Sequence, residues 1–292
     1  MDYKILLAFI PLIGWAFGDF FIQRTSRKVG AVNTLFYICF LSLLLTPLVW
    51  TQIFQLTPSQ ITGLTGMGFL VFIYALVLFH AFEITKLSVT ESVVALELPI
   101  TVAFAVFVGK ETLTTTYLFF FIIICFGVFL AATKSFKHFG SHLKSGKNIF
   151  EKGVLLAFLA TILSAMANYY IGLSAQLTSP LVAVWFMHFV VLILCLIYLI
   201  ATREIIYTYR HFLDNKKNVI LASFFDNIAW IGYAYAVIVI PISLAVTISE
   251  AYIVLAAYLG YYFNKEKLSS HQKIGATIAL IGVVILSYIS EF

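Results

Sequence analysis

The 292-residue sequence is short of charge, with 18 Lys and Arg and 13 Asp and Glu, 11% of the chain. Soluble domains carry about a quarter charged residues, so this scarcity excludes an ordinary cytosolic enzyme, a disordered tail and a nucleic-acid reader. Cysteine is just as scarce. Cys39, Cys125 and Cys195 all lie in apolar stretches, where they read as small packing residues and imply neither a disulfide framework nor a zinc site. A Gly-rich phosphate loop, H-E-x-x-H, paired-cysteine metal spacing and G-x-S-x-G are missing as well. The chain is therefore read as a non-enzyme with no cofactor and no metal. An intramembrane hydrolase built from separated Asp or His residues would need no linear motif and stays open as an alternative.

What is present is apolar. Hydrophobic residues make up 62% of the chain, at a mean hydropathy of +1.02. About 20 such residues cross about 30 Å of hydrocarbon as helix. Apolar runs between charged or turn-rich breaks predict spans near 3–22, 31–50, 61–82, 90–108, 114–133, 153–172, 180–202, 219–238, 243–263 and 270–289. These runs are apolar on all sides, unlike the alternating strands of a membrane barrel. The fold class is all-α, a polytopic membrane protein of ten helices embedded in a lipid bilayer.

The first span has a small-x-small look at Ala16-Phe17-Gly18, suggestive of a signal cleavage site, but a repeat argues against removal. LLAFIPLIGWAFGDFFI (6–22) aligns without a gap with LLAFLATILSAMANYYI (155–171), placing Asp19 opposite Asn168. In the second part of each repeat the offset is 155: Ala81 matches Ala236, Ser88 matches Ser243, and GKETL (109–113) corresponds to FNKEKL (263–268). The expected organisation is a first five-helix repeat at 3–133, a basic linker at 134–152 and a second repeat at 153–289. An odd number of spans per repeat forces the second copy to enter from the opposite side, the inverted arrangement of secondary transporters.

The linker holds five lysines against one glutamate and reads as a topology-fixing segment, with lipid-headgroup or partner binding as the alternative. Sixteen of the eighteen basic residues follow odd-numbered helices, leaving only Lys4 and Lys110 on the other side. The positive-inside rule puts the odd loops in the cytoplasm and both termini outside, in a cell inner (plasma) membrane.

Two five-helix repeats, with Gly-Lys-Glu-x-Leu between helices four and five and Asn-Lys-Glu-Lys-Leu between nine and ten, resemble the EamA-type branch of the drug/metabolite transporter superfamily. The resemblance implies ten helices around a central cavity, alternating access, and substrates such as amino acids, other small metabolites or organic cations. It also implies cytoplasmic termini, the reverse of the charge bias, so export and import both stay open.

Ionisable groups inside spans are functional candidates by default. Glu97, Asp226 and Glu250 each lie about seven residues into a predicted helix, roughly 10 Å below its end. Asp19 is three or four residues from the expected end of helix one and near Arg24, so an interfacial ion pair competes with a cavity role. Trp15 precedes Asp19 by four, while Asp226, Trp230 and Tyr233 fall at i, i+4 and i+7, so both helices put an indole and a carboxylate on one face. Carboxylate beside aromatic ring suits an ammonium group. In helix six Thr161, Ser164 and Asn168 form a polar stripe that either lines a cavity or joins helices. His188 shares a face with Trp185, as proton carrier or as packing. Pro99, two residues after Glu97, is read as a mid-helix kink that removes the donor to the Ala95 carbonyl and acts as gate or static bend.

The sequence reading is a secondary transporter for a small amine-bearing metabolite, an amino acid or related compound. Its carboxylates would hold the ammonium or load protons that couple transport to a gradient. The rivals are an exporter of hydrophobic or quaternary ammonium cations, an intramembrane enzyme and a non-transporting scaffold.

Overall fold

The computed structural model describes residues 3–85, 87–132, 148–264 and 269–289. Most of the basic linker and the Lys-Glu-Lys-Leu of the second turn motif fall outside them. The described residues are helical with no strand. The elements are α1 (Tyr3–Leu6), α2 (Phe9–Val29), α3 (Ala31–Ser42), a 3₁₀ turn at Leu43–Leu45, α4 (Thr46–Ile53), α5 (Pro58–Ile84), α6 (Leu87–Val94), α7 (Glu97–Phe107), α8 (Thr115–Ala132), α9 (Asn148–Leu177), α10 (Pro180–Ala201), α11 (Ile205–Ala236), α12 (Ile242–Ser249), α13 (Tyr252–Asn264) and α14 (Ser270–Ile289). Eight helical runs are long and apolar enough to cross a membrane, and two shorter apolar helices, Glu97–Phe107 and Thr115–Ala131, bring the count to the expected ten. Large apolar side chains such as Leu44, Phe107, Phe119 and Ile197 are exposed on the outside, as a surface that meets lipid requires.

Two departures from the expected spans have clear causes. The first span does not stop near residue 22 but stays helical to Val29 and ends at Gly30, whose φ of +85° is open to glycine at little cost. The polar residues of these roughly two extra turns cap a neighbour. Arg27 donates from Nε to the Phe82 carbonyl at 3.1 Å and from Nη2 to the Thr85 carbonyl, and Gln23 reaches the same Thr85 carbonyl at 3.4 Å. These are carbonyls at the end of α5 that have no partner within their own helix. The second departure is in the fourth and ninth spans. Each is two half-helices, interrupted at Ala95–Leu96 and at Glu250–Ala251. The interruptions differ by 155 residues, the offset of the repeat.

Helix packing follows the same repeat. Span one (α2) lies against span eight (α11), and span six (α9) against span three (α5), the pair that exchanging the two halves generates. Spans five and ten (α8 and α14) pack together, as do two and seven (α3 and α10). Small residues permit the closest approaches. A Cβ added at Gly14 would come 2.7 Å from the Ala229 Cβ, and one added at Gly275 would come 2.6 Å from the Gly127 carbonyl.

Candidate functional site

The turn motif after α7 anchors the site from one side. Lys110 takes φ +56°, and the chain then carries Glu111 across to the start of α12. There Glu111 accepts from the Ile242 N–H at 2.8 Å through Oε1 and from the Ser243 N–H at 3.0 Å through Oε2. A carboxylate on free N–H groups at a helix N-terminus satisfies them and complements the helix dipole. The short half-helix α12 is thereby tied to the first repeat. Tyr117 on α8 adds a second tie, donating to the Ser243 carbonyl at 3.0 Å and meeting Thr247 at 2.7 Å.

Where α12 ends, Glu250 turns inward, 1% exposed. Opposite it α7 begins with Glu97. Both Glu97 oxygens are held by span six: Ser164 Oγ donates to Oε2 at 2.6 Å, and Asn168 Nδ2 donates to Oε1 at 2.5 Å. The same Asn168 nitrogen reaches Glu250 Oε1 at 3.4 Å, so one amide joins the acids of both broken helices. Asn168 is fixed through its own carbonyl, which accepts from the Tyr233 hydroxyl at 3.0 Å. The polar stripe of helix six thus joins helices through Glu97.

On span one, Asp19 is buried well inside a helix that runs on to Val29. This corrects its expected place at a helix end. Arg24 lies over the Phe20 ring at 4.1 Å, while Asp19 faces Tyr252 and Glu91. Asp226 on span eight lies beside the Trp230 indole, and its Oδ2 lies 4.0 Å from His188 Nε2. Trp185, on the same face as His188, donates instead to Thr46 Oγ1 at 2.9 Å. Trp15 stands at the centre of the aromatic residues, its ring centroid 5.2 Å from Trp230, 5.6 Å from Tyr233 and 6.0 Å from Tyr252.

The structure therefore brings Asp19, Glu97, Asp226, Glu250, Trp15, Trp230, Tyr233 and Asn168 into one interior, with His188 beside Asp226. Pro99 is placed otherwise than expected. It is the third residue of α7, in a first turn that needs no N–H from it, and Ala95 lies in the interruption. The feature beside Glu97 is a broken helix, not a kink.

Three site residues escaped the sequence reading. Glu91 sits at the margin of the predicted span, yet α6 starts at Leu87 and buries it to 4% exposure. Tyr252 occupies the position that the 155-residue offset pairs with Glu97, a signal that was available in the repeat. Tyr74 on α5 lies among Asp226, Glu97, Asp19 and Glu250, and nothing in its local sequence marks it.

Five carboxylates are thus buried, and among the described residues no lysine or arginine is. Nor does any described group of three or more His, Cys, Asp or Glu side chains have a geometry that could hold a metal ion.

A model of the EamA-like transporter family matches the chain twice, over residues 2–133 and 151–288. A solved crystal structure of a protein, 15% identical in sequence, superposes with a TM-score of 0.68 over 98% of this chain and 97% of that one, a likeness of fold. No curated protein matches the chain.

Proposed function

Because the chain belongs to the EamA-like transporter family, within the drug/metabolite transporter superfamily, we propose that this membrane transporter carries a small amine-bearing metabolite, an amino acid or related compound, by alternating access. The observation that carries the reading is the set of five buried carboxylates with no buried lysine or arginine among the described residues. An uncompensated charge in a low-dielectric interior is costly, and a cationic cargo or protons relieve that cost during the cycle. The rings of Trp15, Trp230 and Tyr252 beside these acids add cation–π attraction for an ammonium group.

In this reading residues 3–133 and 153–289 are the two halves that rock about the site. The interruptions at Ala95–Leu96 and Glu250–Ala251, with Pro99 just after the first, are the points that absorb the motion. Discontinuous helices at a midplane site are a recurrent transporter device. The same carboxylates, exchanging protons, couple transport to the proton gradient. The lysine and arginine bias orients the odd loops to the cytoplasm and both termini outside the plasma membrane.

The aromatic wall around Trp15 favours a second reading, an exporter of hydrophobic or quaternary cations. A thermal-shift screen of purified protein against amino acids, alkylamines, choline and tetraphenylphosphonium separates the two. Amine stabilisation that disappears in Glu97→Gln, Asp226→Asn or Glu250→Gln supports the first reading. Stabilisation by tetraphenylphosphonium or choline alone supports the second, and stabilisation by no cation at all counts against both.

A further inference from the structure

Within the buried interior, the polar atoms left without partners are mainly acceptors. Both Glu91 oxygens, Glu250 Oε2 and Asn168 Oδ1 are buried with no hydrogen-bond partner. Three donors nearby are already committed: Ser164 Oγ and Asn168 Nδ2 to Glu97, and the Tyr233 hydroxyl to the Asn168 carbonyl. Tyr252 faces both Asp19 and Glu91, which also face each other, but a phenol has one proton to donate, too few for the four carboxylate oxygens of that pair.

The missing partners are donors, and they fall at two places. One is the Glu91 and Asp19 pair, carried by α6 and α2. The other is Glu250 Oε2 with Asn168 Oδ1, at the interruption of span nine. Tyr252 follows Glu250 by two residues and faces the first pair, with Trp15 packed against it at 6.0 Å. One ammonium offers three donors, fewer than the four orphaned acceptor atoms, and carries one charge against several acids. A carboxylate on the cargo would meet those acids with no buried described lysine or arginine to receive it.

Resting on the amine-transport reading and narrowing it, we propose that the cargo is a diamine without a carboxylate. One ammonium group is held by Glu91 and Asp19, the other by Glu250 and the Asn168 carbonyl oxygen Oδ1, with the alkyl chain along Tyr252 and Trp15.

The test is uptake of labelled 1,4-diaminobutane by proteoliposomes of the full chain, in competition with n-butylamine, lysine and leucine. Lysine also carries two amines, one carbon further apart than in 1,4-diaminobutane, and adds a carboxylate. The diamine is expected to compete at least about tenfold better than butylamine and than lysine, since a site built around polar partners rejects ligands that leave them unpaired. Glu91→Gln, an isosteric change, is expected to bring diamine and butylamine to similar potency. If Glu91→Gln does not fold, the wild-type ranking decides alone. Equal competition by butylamine, or a preference for lysine or leucine, overturns the diamine while leaving the amine transporter standing. If no amine-bearing probe enters or competes, both readings fall.

Discussion

Asn168 holds Glu97 at 2.5 Å, and its repeat counterpart Asp19 faces Tyr252, the counterpart of Glu97. The two halves make the same contact with roles exchanged. In one, the donor is an amide on span six and the acid is on span four. In the other, the acid is on span one and the donor is a phenol on span nine. Removing the Asn168 amide leaves a buried carboxylate oxygen short of its donor, which costs about 1–3 kcal/mol. We expect Asn168→Ala to lower the melting temperature in detergent. The Asn168→Ala and Glu97→Gln double variant is expected to lose less than the sum of the two, because the partners share one interaction. Strict additivity would mean that the contact contributes nothing.

Glu111 satisfies two N–H groups at the start of α12, the half-helix that ends at Glu250. Its replacement by alanine removes both the cap and a favourable dipole interaction, worth about 1 kcal/mol each at most exposed helix ends. Glu111→Ala is expected to lower thermal stability and to raise hydrogen exchange at the first amides of α12. Unchanged exchange at Ile242 and Ser243 would show that the cap is dispensable.

The contact of Gly14 with Ala229 sets how closely spans one and eight approach, and so how near Trp15 stands to Trp230. A methyl group at position 14 would sit 2.7 Å from the Ala229 Cβ, closer than carbon atoms tolerate. Gly14→Ala is expected to destabilise the protein by about 1–3 kcal/mol, as overpacking does, and adding Ala229→Gly to restore part of the loss. Full wild-type stability of Gly14→Ala in a thermal melt would argue against the tight crossing.

The proposed orientation is checked by introducing cysteine at exposed positions on opposite faces, Gln55 after the second span and Lys216 after the seventh, and labelling intact cells with an impermeant maleimide. Gln55→Cys is expected to react and Lys216→Cys to react only after lysis. The reverse pattern would place both termini in the cytoplasm and overrule the charge bias.

Much of this was legible in the sequence because a membrane makes few demands, and strong ones. Ten apolar runs, a repeat aligned at Asp19 and Asn168, and acids isolated in those runs led to the helices and to Glu97, Asp226 and Glu250. What escaped depended on partners far away in sequence. Arg27 and Gln23 read as loop because they are polar, yet they are helical since the end of α5 needs their donors. The interruption before Glu97 looks from sequence like a proline kink at Pro99, and only the matching interruption at Glu250–Ala251 reveals it as a feature of the repeat. Glu91 escaped notice because it lies at the edge of a run whose helix begins earlier than its hydropathy does. Tyr74 is one of sixteen tyrosines in the chain and lies in an apolar stretch of α5, and only the fold brings the acids to it.

The account stands on the claim that buried carboxylates carry an amine across the membrane. Initial rates of uptake of labelled leucine, n-butylamine and 1,4-diaminobutane into proteoliposomes test it, with the wild type beside folded Glu97→Gln, Asp226→Asn and Glu250→Gln. We expect at least one amine to enter with the wild type and its rate to fall about tenfold or more in each variant, given what buried ionic partners contribute to binding. Wild-type rates in all three variants, or no entry of any amine, would contradict it.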